Sequence, residues 1–385
     1  MKSNLSATLS SAILCCILFL AMHIYQIVVQ VAPSGESSVS SLLTETATPA
    51  GFSYATEPRQ FIFPKDHAPH YAFRSEWWYF TGNLIGNNKQ SYGFDLTVFR
   101  FGLKPQPSDL QQSLRSSHIY LAHFAIADVT AKKYLKAEKF ARELPGLTGV
   151  TTEPINIQVE NWWIKQDADK EHVWQLRAAT PVSELDLTLS ALRPIALQGT
   201  DGLSSKSATP GNASYYYSIP RLRATGRLRL NEQEVDVTGE AWFDREWSTS
   251  ALERGQVGWD WFGLHLNEDI ELMYYQIRKA NGDADGESHG TLFLNHGEVT
   301  RALDHSVKLY PLKYWRSPTT NTRYPVEWRM VSSEYALDIT ITAKFDDQQW
   351  TDTFDYWEGA VTVTGNLGAR TIKGSGFLEM TGYDQ

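Results

Sequence analysis

RLRATGRLRLNEQEVDVTGEAWFDREW, residues 221–247, alternates polar and apolar side chains on both sides of Asn231-Glu232. Alternation with a period of two is the mark of an extended strand with one face buried, so the stretch reads as two antiparallel strands joined by a tight turn. Its second arm ends in GEAWFDREW (239–247). There Glu240, Trp242, Asp244 and Glu246 share one face, while Ala241, Phe243, Arg245 and Trp247 share the other. Acids two residues apart on one face lie about 7 Å from each other. Beside an indole they suit acid–base work, because an apolar wall raises a carboxyl pKa. The competing reading is an ion-paired cluster matched by Arg221, Arg223, Arg227 and Arg229 on the preceding arm.

The same short alternating runs recur along the chain from Phe52, and helix-period patterning is scarce. YGFDLTVFRF follows a GNNK turn, LDLTL stands alone, and YWEGAVTVTG and GSGFLEMTGY close the chain. TDGLSSKSATPGNAS (200–214) reads as a long surface loop. Aromatic residues make up 12% of the 385 residues, which favours a β-rich protein with aromatic-lined spaces. EWWYFTGNLIGNNKQSYGFDLTVFRF in the first half has an echo in WDWFGLHLNEDIELMYYQIRK in the second. Ser117-His118 and Ser288-His289 open a further strand after each. The expectation is all-β: two antiparallel β-barrel domains, 52–249 and 250–385.

Ahead of them, residues 12–32 (AILCCILFLAMHIYQIVVQVA) are long and apolar enough to span a bilayer, with Lys2 on the N-terminal side. This predicts a cytoplasmic N-terminus (1–11), a transmembrane signal anchor (12–32), a linker (33–51) and an exported, periplasmic or extracytoplasmic body. Secretion after signal cleavage is the alternative. A net charge of -9 argues against a nucleic-acid partner. Both cysteines, Cys15 and Cys16, lie inside the apolar run, so the body has neither a disulfide nor a thiolate.

RSEWWYFTGNL (74–84) places Glu76 against four aromatic residues, on the face shared by Trp78 and Phe80. A carboxylate among them either pairs with a base, Arg74 or Arg245, or is the acid of an aromatic cavity. GESHG (286–290) matches a nucleophile-elbow pattern around Ser288, but a polar loop precedes it and an apolar strand follows, not a helix. His67 and His70 lack a further ligand nearby, and His118 and His123 point to opposite faces of a strand, so no metal site is expected. No nucleotide-binding glycine motif occurs and no cofactor is expected.

HYAFRSEWWYFTGNL (70–84), YYYSIPRL (215–222), GEAWFDREW (239–247), GWDWFGL (258–264), YWEGAV (356–361) and GFLEMTGY (376–383) occur in this order. Together they resemble the AttH/CrtC-like family, exported proteins often labelled "predicted secreted hydrolase", and their relatives the carotenoid 1,2-hydratases. The resemblance implies a pair of lipocalin-like barrels with an apolar cavity near their junction. It also implies a lipid or isoprenoid ligand and an ABC transporter as partner. In the hydratase branch an acid protonates an isolated C=C bond and water captures the cation, which aromatic faces stabilise. The acid expected there falls near Tyr274-Tyr275-Gln276, where this chain offers Gln276.

Asp244, Glu246 and Glu76 are therefore the candidate catalytic acids. Trp78, Phe80, Trp242, Trp259, Trp261, Tyr274 and Gln276 are the candidate ligand contacts, with His70 and Arg245 in support and Arg245 held by Glu76. Three functions stay open: a hydratase-like hydro-lyase or hydrolase acting on a lipophile, a non-catalytic carrier serving a transporter, and a sugar-binding protein using its Trp pairs.

Overall fold

The computed structural model describes residues 50–105, 117–170, 172–250, 252–304 and 306–383. The transmembrane anchor and most of the linker expected from the sequence lie outside the described residues. Among the described residues no helix is long and apolar enough to cross a membrane. Apart from 3-10 turns at Lys65–His67 and Asn295–Gly297, the regular structure described is strand.

The strands form two antiparallel, barrel-like sheets within one compact unit, the first nearly closed and the second a half-barrel. The first has 13 strands between Ser75 and Ser248; the second has 10 between Gln256 and Thr381. The hairpin around Asn231-Glu232 forms with Leu230 opposite Gln233. Asn231 adopts φ 54°, a left-handed conformation that Asn tolerates because its short side chain bonds locally.

The two sheets repeat one closure pattern. The strand Ser75–Gly86 lies between its successor, Ser91–Gly102, and the sheet's last long strand, Gln233–Ser248. In the second sheet Gln256–His265 lies between its successor, Glu271–Lys279, and the chain's last strand, Arg370–Thr381. The sequence echo maps onto these equivalent strands. Two further strands begin at the echoed histidines, His118–Asp128 and His289–Leu294.

Each sheet buries an apolar interior. Trp78, Phe80, Phe243 and Trp247 fill the first; Phe262, Tyr274, Trp328 and Trp357 fill the second. A third cluster, with Tyr79, Tyr216, Trp242, Trp261, Tyr275 and Phe377, belongs to neither interior. It forms where the outward faces of the two sheets meet. Full burial of an aromatic side chain is worth about 1.5–3 kcal/mol, so this seam contributes to stability as the interiors do.

Candidate active site between the two sheets

A cleft with about 1280 Å³ of empty space, mouth included, opens in that seam. Alternation along the strands decides what reaches it. From the first sheet come Trp77 and Tyr79, Thr97 and Phe99, Ser214 and Tyr216, and Asp244 and Glu246. The second sheet supplies Trp259 and Trp261, Tyr275 and Ile277, Tyr356 and Glu358, and Glu379 and Thr381. Each pair is an i, i+2 couple on a single strand face. Trp261 folds over Gly263, where a Cβ would come within 2.3 Å of the indole Cη2, so the glycine is what lets the ring lie there.

Asp244 is the best-furnished acid. Its Oδ1 accepts Ser218 Oγ at 2.5 Å and Trp242 Nε1 at 2.6 Å, and its Oδ2 accepts the Tyr216 hydroxyl. Tyr216 in turn accepts Trp261 Nε1 at 3.1 Å. Burial pushes the Asp244 carboxyl up to about 7, helped by the neighbouring Glu246 and opposed by the three donors. Glu246 accepts Ser214 Oγ and pairs with Lys206 Nζ at 3.0 Å. Lys206 is the one Lys or Arg among the described lining residues, and its ammonium lies 4.2 Å from the centre of the Tyr275 ring.

Across the cleft Glu379 accepts Trp259 Nε1 at 2.8 Å and stands directly opposite Glu358 on the adjacent strand. Burial raises the pKa of Glu379, and Asp244 and Glu246 add to the rise. Glu358 is pushed well above the carboxylate range by burial and by the Asp95 and Glu379 charges. Asp95, a short way along the first sheet, is raised by burial and by Glu379. Asp244, Glu358 and Glu379, each with a raised pKa, thus line a space walled by indole and phenol rings, and Asp95 adds to the rise of Glu358 from nearby on the first sheet.

Glu76 is not among them. It is fully buried on the opposite face of its strand, inside the first sheet. Arg100 Nε binds one carboxylate oxygen and Arg245 Nη2 the other, and the His70 backbone N–H donates at 3.0 Å. Burial alone would raise its pKa, but the two guanidiniums hold it well below the usual range. The pairing of Arg245 with Glu76 is present as expected, and Arg100 is an additional partner from the next strand. His70 stacks on Trp247 with ring centres 3.7 Å apart, and Arg245 sits 4.1 Å over Trp78. His70 and Arg245 support this ion cluster and not the cavity.

Trp78 and Phe80 also face the first interior and Tyr274 the second, so these three expected ligand contacts are core residues. Gln276 points away from the cleft for the same reason, and its neighbours Tyr275 and Ile277 line it. That strand therefore brings no carboxyl to the cavity. Trp242 lies one layer behind the wall, where it holds Asp244. Of the residues singled out in the sequence, Asp244, Glu246, Trp259 and Trp261 line the cleft.

The arginine-matched alternative holds for Glu240 alone. A bulge at Pro220-Arg221 re-aims Arg221, which reaches Glu240 at 2.6 Å and Glu271 at 2.5 Å. Asp244 and Glu246 have no arginine partner among the described residues. Glu358 and Glu379 sit in YWEGAV and GFLEMTGY, and a lone acid inside an alternating apolar run was the signal that could have found them. Lys206 had no such signal. It follows a short strand, Leu203–Ser205, that pairs with Ala213–Tyr215, so part of the expected 200–214 surface loop is a sheet edge carrying the cleft's cation.

Fold and site together define an all-β protein with two barrel-like sheets and an acid-bearing aromatic cavity between them. A family model described as AttH-like matches residues 54–383, and the chain belongs to that family. An AttH-type protein of Nitrosomonas europaea, solved by crystallography, is 30% identical, with a TM-score of 0.76 over 86% of this chain and 100% of that one. Kievitone hydratase from Nectria haematococca shares the fold at 16% identity, with a TM-score of 0.65 over 87% of this chain and 97% of that one. In sequence, the kievitone hydratase of Fusarium solani subsp. phaseoli is 24% identical over 181 residues, 43% of this chain. That match spans 49% of the curated relative, about half its length.

Proposed function

We propose that the cleft binds an apolar, unsaturated molecule and adds water across an isolated C=C bond. The observation that carries this reading is Asp244, a buried acid held near neutrality within a wall of indole and phenol rings. Protonated Asp244 gives its proton to one alkene carbon. The cation formed on the other carbon meets the faces of Trp261, Tyr216 and Trp77, whose π-electrons attract positive charge. Water adds to that carbon and loses a proton to Glu246, which Lys206 holds in place. Return of that proton to Asp244 completes the cycle, so alkene and water yield an alcohol with no net proton change. The hydratase named among the structural relatives supports this reaction class.

The lipocalin-like description of the two sheets belongs to the same proposal, as does an exported body held at the membrane by residues 12–32 and working beside a transporter. Those last points rest on the apolar N-terminal run and on the resemblance set out above.

The test begins with solvent extraction of the purified protein and mass spectrometry of what co-purifies. The ligand found, or failing that a panel of isoprenoid alkenes, is then incubated with enzyme in ¹⁸O-labelled water. A product heavier by one labelled water, formed by wild type and lost in Asp244→Asn, is the expected result. Equal turnover by Asp244→Asn would overturn the role of Asp244. Saturable binding without product would point to a carrier.

A further inference from the structure

Tyr356, His123 and Glu138 form a continuous hydrogen-bonded line from the cleft toward the surface. Tyr356 lines the cleft, and its hydroxyl is 2.6 Å from His123 Nδ1. His123 Nε2 is 3.2 Å from Glu138 Oε2, and the two residues stand directly opposite each other on adjacent strands of the first sheet. Tyr356 comes from the second sheet, so the line crosses the seam.

Donor and acceptor roles follow from what Glu138 accepts. Besides the imidazole, its carboxylate receives the backbone N–H of Thr353 at 3.2 Å and the Thr353 hydroxyl. Ionised, it can only accept, so His123 Nε2 carries the hydrogen and Nδ1 is the lone-pair nitrogen. The Tyr356 hydroxyl must then donate to Nδ1. Its oxygen lone pairs are left for the cleft, which Glu358 lines two residues along the same strand face, with one carboxyl oxygen, Oε1, free of any hydrogen-bond partner among the described residues. Burial favours the neutral ring at His123 and the neutral carboxyl at Glu358. Trp350 fixes the geometry by stacking on His123 at 4.3 Å and on Tyr356 at 5.9 Å. The other charged groups acting on His123 are Asp352 and Lys136, which pair with each other at 3.1 Å.

We propose that Tyr356, His123 and Glu138 are a proton relay connecting the buried Glu358 carboxyl of the cleft with solvent. Glu358 is 1% exposed, whereas the Glu138 side chain is 16% exposed and exchanges protons with water directly. In one passage the Glu358 proton moves to the Tyr356 oxygen and the phenolic proton moves to His123 Nδ1. The Nε2 proton then moves to Glu138, which releases it to water. One proton leaves Glu358, one reaches solvent, and tyrosine and histidine end neutral. The reverse sequence reloads the acid. Its use in turnover rests on the hydration reading; the relay itself is testable without substrate.

The test is a pH jump on the full chain followed by time-resolved infrared of protonated carboxyl C=O bands. Glu358 is assigned by loss of its band in Glu358→Gln and Asp244 by loss in Asp244→Asn. Tyr356→Phe and His123→Phe keep the ring stack and cut the line. Each is expected to slow the Glu358 band about tenfold or more, equivalent to 1.36 kcal/mol in the barrier. The Asp244 band should keep its wild-type rate. Glu138→Gln, on the partly exposed end, should slow Glu358 likewise and serves if His123→Phe does not fold. An unchanged Glu358 rate in these variants, equal slowing of both bands, or no Glu358 band at all would overturn the proposal.

Discussion

Asp244→Asn should make the protein more stable at neutral pH and no more stable in acid. A carboxyl whose pKa rises from its ordinary 3.8 to about 7 on folding binds protons more tightly in the folded state. Below 3.8 it is neutral in both states and costs nothing. Between the two values the unfolded chain ionises and the folded one does not, so wild-type stability falls as pH rises, levelling off above about 7. At 1.36 kcal/mol per unit, the full penalty is roughly 4 kcal/mol. Asparagine removes it at nearly the same size and shape. Its Oδ1 keeps the bonds from Ser218 and Trp242, and its Nδ2 reverses the bond from the Tyr216 hydroxyl, donating to that oxygen where the carboxylate accepts from it, as a protonated carboxyl would. Urea unfolding of both proteins at intervals from pH 4 to pH 8 measures the difference directly. A gain that grows with pH and flattens near pH 8 supports a protonated Asp244. A difference that stays flat across the range refutes it.

Three other outcomes are expected. Glu76→Gln leaves two buried guanidiniums short of their shared counter-charge and should cost about 3–5 kcal/mol in chemical denaturation. Because the Glu76 pKa is depressed, its contribution is complete above the ordinary 4.5, falls progressively as pH drops below that value and is gone once pH has passed the lower folded value, so the wild-type advantage should begin to shrink below about pH 4.5. Lys206→Met removes the cation beside Glu246 and should weaken retention of the co-purified ligand and lower stability by about 1–3 kcal/mol, read by mass spectrometry and thermal unfolding. Gly263→Ala should displace the Trp261 indole, shift its fluorescence and cost about 1–3 kcal/mol by overpacking.

The physics of these residues divides the protein into what is local and what is not. Strand identity, the turn at Asn231 and the two-faced character of GEAWFDREW follow from a period of two, which a few neighbouring residues determine. That Asp244 and Glu246 share a face opposite Arg245, and that Glu76 seeks a base, were legible for the same reason. The six ordered motifs also carried the family.

Periodicity separates two faces but does not say what covers each. Glu76, Trp78 and Phe80 looked equivalent to Trp77 and Tyr79 until the strand Gln233–Ser248 paired beside them. The second sheet then closed over the other side. Gln276 and Tyr275 exchanged importance in the same way. Lys206, Glu358 and Glu379 reach the acids of the first sheet across gaps of about forty to over a hundred residues in sequence, gaps the chain closes only by folding. The sequence by itself determined the strands, their faces and the acids available. The tertiary structure alone decided which acids lie between the sheets, because a cavity and a raised pKa are made by distant strands that exclude water together.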